Sequence, residues 1–172
     1  GVSNIKWSGD NRNIVFTYAT EGNTKLAKTS LNGKTKIIAN NVGRGYSLSS
    51  TGKYVMLMTT PDIPSDIAVG NIQSGNPKKI TSVNADLFAN KELGEVEEIW
   101  YKSSYDGLDI QGWIMKPPGF DPSKKYPLII KIHGGPFSNY GDRFYLEKQL
   151  MAAEGYVVLY TNPRGSTSYG EK

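Results

Sequence analysis

Short apolar runs separated by glycine, asparagine and serine fill the first half of the chain, and no sustained helical period interrupts them. Residues 8–17 read S-G-D-N-R-N-I-V-F-T and residues 49–58 read S-S-T-G-K-Y-V-M-L-M. Each run opens on a serine, crosses a turn tripeptide and a basic residue, and enters β-forming apolar positions, at an offset of 41 residues. The same offset lays Leu26-Ala27 on Ile67-Ala68 and Leu31 on Ile72, and both units close similarly, in G-K-T-K-I-I (33–38) and S-G-N-P-K-K-I (74–80). Met56 and Met58 alternate as strand residues do. A period of about 40–45 residues with several short strands per unit predicts β-propeller blades. A closed propeller needs about four to eight blades, so these two are expected to end a longer array.

The pattern changes within 84–94, N-A-D-L-F-A-N-K-E-L-G, where β-branched periodicity is lost. A boundary there divides 1–88 from 89–172. Two β-rich runs, 97–104 and 108–116, flank Tyr105-Asp106-Gly107 and predict a hairpin. Trp100 and Trp113 on these runs read as structural. Pro117-Pro118-Gly119 then turns the chain, and L-I-I-K-I (128–132) predicts a buried strand. Leu146, Leu150 and Ala153 recur at helical spacing within 143–154, with Gly155 as the stop, and Y-V-V-L-Y (156–160) predicts another buried strand. Strand, helix and strand make a parallel βαβ unit, which brings the ends of both strands to one sheet edge.

Composition narrows the chemistry. There is no cysteine and one histidine, and carboxylates are not clustered, which removes disulfides, thiolate nucleophiles and a metal site. The net charge of +4 is spread along the chain, so a nucleic-acid partner is not indicated. No apolar run approaches the roughly 20 residues of a membrane-spanning helix. Compartment and oligomeric state are left open.

Two motifs carry the chemistry that remains. The first strand of the βαβ unit ends in His133-Gly134-Gly135-Pro136, and the second runs into N-P-R-G-S-T-S-Y-G (162–170). Glycines at the carboxyl end of a sheet strand let backbone N–H groups approach a substrate. Such donors stabilise the oxyanion of an acyl-transfer intermediate. A tight turn would also explain the glycine pair.

H-G-G-P followed by N-P-R-G-S-x-x-Y-G, behind a β-rich region, resembles the prolyl oligopeptidase family of serine peptidases, in particular its acylaminoacyl-peptidase and dipeptidyl-peptidase branch. The match is close over 95–172 and looser before it. The resemblance implies the C-terminal part of a β-propeller (1–88) followed by the N-terminal part of an α/β-hydrolase domain (89–172). It also implies hydrolysis of short peptides through a seryl-enzyme intermediate, without a cofactor. Gly135, with Gly134, is expected to supply the oxyanion donor; His133, Pro136, Asn162, Arg164 and Gly165 are expected to support the loop. Arg164 is expected in a structural salt bridge, and Asn162 and Ser166 in local backbone bonds.

No G-x-S-x-G nucleophile elbow occurs in the sequence. His133 belongs to the glycine loop, where shaping that loop fits it better than proton transfer. Nucleophile, acid and base are therefore expected beyond Lys172, leaving these 172 residues an inactive, aggregation-prone excerpt that needs the remainder of its own chain. A carboxylesterase with the same loop, or a non-catalytic binding module, are the alternatives.

Overall fold

The computed structural model describes residues 1–135 and 137–170; Pro136 lies outside them. Within this span twelve strands form three four-stranded sheets, with two short helices. The first sheet is an antiparallel meander of β1 (Val2–Trp7), β2 (Asn13–Thr20), β3 (Asn23–Ser30) and β4 (Thr35–Ala39), and the second repeats it with β5 (Val42–Leu48), β6 (Lys53–Thr60), β7 (Ile63–Asn71) and β8 (Gly75–Lys79).

The repeated serine does the same work in both. Ser8 Oγ accepts the Asn13 N–H at 2.9 Å and Ser49 Oγ accepts the Lys53 N–H at 3.1 Å, each closing the turn into the second strand of its sheet. The second turn is one residue shorter, so the offset drifts by one inside the repeat. Val15, Leu26 and Ile38 of the first sheet pack against Tyr54, Met56, Ala68 and Ile72 of the second in one core. The pairing of Leu31 with Ile72 fails here, since Leu31 is exposed and Ile72 buried.

Helix α1 (Ala85–Phe88) connects to the third sheet, ordered β11-β12-β10-β9. The predicted hairpin is β9 (Glu95–Lys102) with β10 (Asp109–Lys116). Strand β11 (Leu128–Ile132) lies parallel to β12 (Val157–Asn162), and helix α2 (Leu146–Ala153) connects them. One face of the sheet meets α2 in a core of Trp113, Met115, Val158, Tyr160 and Ala152, with Trp113 stacked on Tyr160 at 5.5 Å. Among the described residues no helix is long and apolar enough to cross a membrane.

Two burial expectations are corrected. Strand β11 is not covered on both faces: it is the sheet edge, and Leu128, Ile130 and Ile132 point to the face away from α2 and are exposed. Helix α2 turns its Leu146 and Leu150 stripe outward and buries Lys148, Gln149 and Ala152. Polar partners explain the reversal. Gln149 accepts the Gly94 N–H at 2.7 Å and donates to the Gly94 carbonyl at 3.3 Å, so its amide is satisfied inside.

Candidate active-site loops

Because β11 and β12 are parallel neighbours, the segments leaving their carboxyl ends meet. His133 Nε2 lies 2.8 Å from Ser166 Oγ, and His133 Nδ1 lies 2.9 Å from the Gly134 carbonyl. Ser166 Oγ also bonds the Pro163 carbonyl, so its one proton is shared between that oxygen and the imidazole. The turn 163–166 is closed by the Ser166 N–H on the Pro163 carbonyl, with Gly165 at a φ of 81° that glycine alone adopts freely.

Beyond the glycines, the first loop runs alongside the second. Thr167 N–H donates to the Ser138 carbonyl at 2.9 Å, and Asn139 Nδ2 donates to Ser168 Oγ at 3.0 Å. Asn162, buried at the end of β12, grips Tyr140 through its backbone: its Oδ1 accepts the Tyr140 N–H at 2.7 Å and its Nδ2 donates to the Tyr140 carbonyl at 3.0 Å. The bond expected to be local instead crosses between the loops. Asn162 Nδ2 also donates to the Tyr169 hydroxyl at 2.6 Å, and that hydroxyl bonds Gln111 Oε1. Burial pushes the Tyr169 phenol up to about 12.

Arg164 lies outside this buried network. Its guanidinium pairs with Asp106 in the β9–β10 turn and donates to Ser103 Oγ at 2.8 Å. The Arg164 hydrogen bond is the largest cause holding the Asp106 carboxyl below its ordinary range, helped by the Leu108 N–H.

The glycine pair differs from its surroundings. Neither Gly134 nor Gly135 has a left-handed φ. A Cβ on Gly134 would meet nothing within 4 Å, and one on Gly135 would come 3.3 Å from the Phe137 nitrogen. Among the described residues neither N–H is engaged in a hydrogen bond. Gly134 thus borders open space, and among the described residues both backbone donors are without a hydrogen-bond partner.

The first sheet reaches this site. Glu21 and Gly22 form the two-residue β2–β3 turn, both at positive φ as a type I′ turn requires. Glu21 N–H donates to the Ser168 carbonyl at 3.0 Å, and Gln111 Nε2 donates to the Glu21 carbonyl at 3.1 Å. A Cβ on Gly22 would lie 2.8 Å from the Tyr140 carbonyl oxygen and 2.9 Å from the Trp113 ring. From the second sheet, Thr59 Oγ1 accepts the Phe144 N–H at 3.2 Å.

No protein-family model matches the chain. It is 33% identical over 170 residues to the uncharacterized peptidase YuxL of Bacillus subtilis, covering 96% of this chain and 25% of that protein. Against dipeptidyl-peptidase 5 of Aspergillus fumigatus it is 32% identical over 179 residues, covering 97% of this chain and 24% of the relative. Among solved structures, the acylaminoacyl peptidase of Pyrococcus horikoshii superposes with a TM-score of 0.81 at 29% identity, over 98% of this chain and 26% of that one. These similarities to named peptidases are consistent with a fragment of the prolyl oligopeptidase family. The chain spans about a quarter of the length of each of these relatives.

Gln111, Tyr140 and Lys148 are site neighbours that the sequence did not single out. Gln111 left a weak signal, a polar residue on the same strand face as Trp113. Tyr140 and Lys148 left none, because their importance lies in pairwise contacts. Among the described residues no group of three or more His, Asp or Glu side chains is arranged to hold a metal ion.

Proposed function

We propose that this chain forms the oxyanion-stabilising part of a serine peptidase active site. In this reading 1–88 are blades of a β-propeller and 89–172 begin an α/β-hydrolase domain, in which a serine elsewhere attacks the carbonyl of a short peptide. The Gly135 N–H, with Gly134 leaving the approach clear, donates to the oxygen as it becomes negative; the second donor is the N–H following the nucleophilic serine. His133, Asn162, Arg164 and Gly165 shape and brace the loops rather than transfer protons, and Pro136 continues the glycine loop.

One observation carries the reading: among the described residues the Gly134 and Gly135 backbone donors at the carboxyl end of β11 have no hydrogen-bond partner, beside a loop fixed by the hydrogen bonds of Asn162 to Tyr140. The names of the relatives support peptide bonds as the substrate class. The 172-residue chain should not hydrolyse an aminoacyl p-nitroanilide, whereas the whole protein containing it should, with loss of turnover on treatment with a serine-directed phosphonate. Inhibitor-sensitive turnover by the 172 residues alone would contradict the division of labour. Ester cleavage without peptide cleavage by the whole protein would favour a carboxylesterase.

A further inference from the structure

Lys148 is 2% exposed, yet among the described residues its ammonium makes no ion pair or hydrogen bond. Its ammonium sits over three tyrosine rings, 3.4 Å from the centroid of Tyr145, 4.2 Å from Tyr140 and 4.7 Å from Tyr160. Two of these rings come from the loop between β11 and α2 and the third from β12. Ring faces carry the negative lobes of the aromatic quadrupole, so three of them substitute for part of the lost hydration. The Tyr160 hydroxyl has no hydrogen-bond partner among the described residues, which leaves its ring as what Lys148 uses.

Tyr140 is where this cage meets the glycine loop. Its backbone is held by Asn162, and its ring edge meets the His133 ring at 5.5 Å and 73°. We propose that Lys148 is a positioning residue that fixes the Tyr140 ring, and through it His133 and the Gly134-Gly135 backbone, by cation–π contact from helix α2. This deepens the oxyanion-loop reading and rests on it for its catalytic meaning.

Burial pulls the Lys148 ammonium down to about 8. The other charged groups facing it are Glu147 on its own helix, which favours the charged form, and Lys131 of β11 and Arg143 of the loop, which oppose it. Glu147 is itself paired with Lys131 at 2.7 Å. The cage therefore loses its cation within a pH range where ordinary lysines, with values near about 10.4, keep theirs.

The His133 ring resonance is assigned by its loss in His133→Gln. The experiment follows the His133 Cε1–H and the lysine side-chain resonances of the isotopically labelled whole protein containing this chain by NMR from pH 5 to 10. Lys148 is expected to titrate apart from the other lysines, near about 8, with a second step in the His133 resonance at the same pH. Lys148→Arg, which stays charged, should abolish that second step; Lys148→Met should hold His133 at its alkaline-side position from about pH 8 downwards, apart from the ring's own titration. An ordinary Lys148 titration would overturn the proposal. So would a His133 resonance that ignores a Lys148 step, or a second step that survives in Lys148→Arg. If Lys148→Met does not fold, the wild-type and Lys148→Arg titrations still decide. None of these readouts depends on peptide hydrolysis, so a failed peptidase assay and a failed coupling are separate results.

Discussion

The loops leaving β11 and β12 start side by side and are built in opposite ways. The β12 loop is fixed by side chains: Asn162, Ser166 and Tyr169 are each tied into hydrogen bonds that end on backbone or on Gln111. The β11 loop presents Gly134 and Gly135, which have no side chains, and only at Gly134 is the Cβ position free of neighbours. Backbone donors are useful in catalysis only if they are already aimed, because reorientation during the reaction costs what their hydrogen bond would gain. In the proposed reading the rigid loop supplies that aim through Tyr140, while the bare loop supplies the donors.

Substitutions can break this contrast from the rigid side first. Asn162→Ala leaves the Tyr140 N–H and carbonyl without their partners at a buried site, at about 1–3 kcal/mol for each unsatisfied group. A loss of about 3 kcal/mol in urea unfolding is expected, the largest single effect here, and a loss below about 1 kcal/mol would mean that Asn162 does not hold the loop. Gly22→Ala is expected next, at about 2 kcal/mol, since it combines a left-handed φ with overlap of a new Cβ on Tyr140 and Trp113. Gly33→Ala is its control, with a similar φ and nothing within 4 Å, and should cost only about 1 kcal/mol. Equal losses would show that the β2–β3 turn does not press on the site.

A smaller effect belongs to Arg164 and Asp106. A folded-state carboxyl held below its unfolded value contributes stability above the unfolded value and loses it as pH falls through the folded one. The pair should therefore contribute at neutral pH and fade below about 4, the ordinary aspartate range. Arg164→Ala should flatten that part of the stability-against-pH curve by a small loss at neutral pH, small because the pair is solvent-screened, and by almost none in acid. Smallest of all is Gly134→Ala on stability, within about 0.5 kcal/mol by thermal unfolding, since its Cβ enters open space.

Much of the architecture was legible before the structure. The serine-led repeat corresponds to two four-stranded sheets because Ser8 and Ser49 each close the same turn. The strand–helix–strand pattern brought the ends of both strands to one sheet edge, as parallel neighbours do, and His133 meets Ser166 there. What failed was the direction of faces. Apolar spacing identified Leu146 and Leu150 as one side of α2, but spacing cannot say whether that side meets this core, and tyrosines drew Lys148 inward instead. The same limit applies to β11, whose apolar run is real and whose outer face is open. At the site, the motif glycines were readable, while Tyr140 and Gln111, the partners of Asn162 and Tyr169, depend on long-range contacts that no local pattern encodes.

The most direct test removes a single donor and nothing else. Replacing the Gly134–Gly135 peptide bond by an ester in the whole protein containing this chain deletes the Gly135 N–H and leaves every side chain in place. The expected result is a fall in kcat on an aminoacyl p-nitroanilide of about 100- to 1000-fold, with the unfolding midpoint unchanged. Undiminished kcat in the folded ester variant would contradict the assignment of Gly135 as the oxyanion donor.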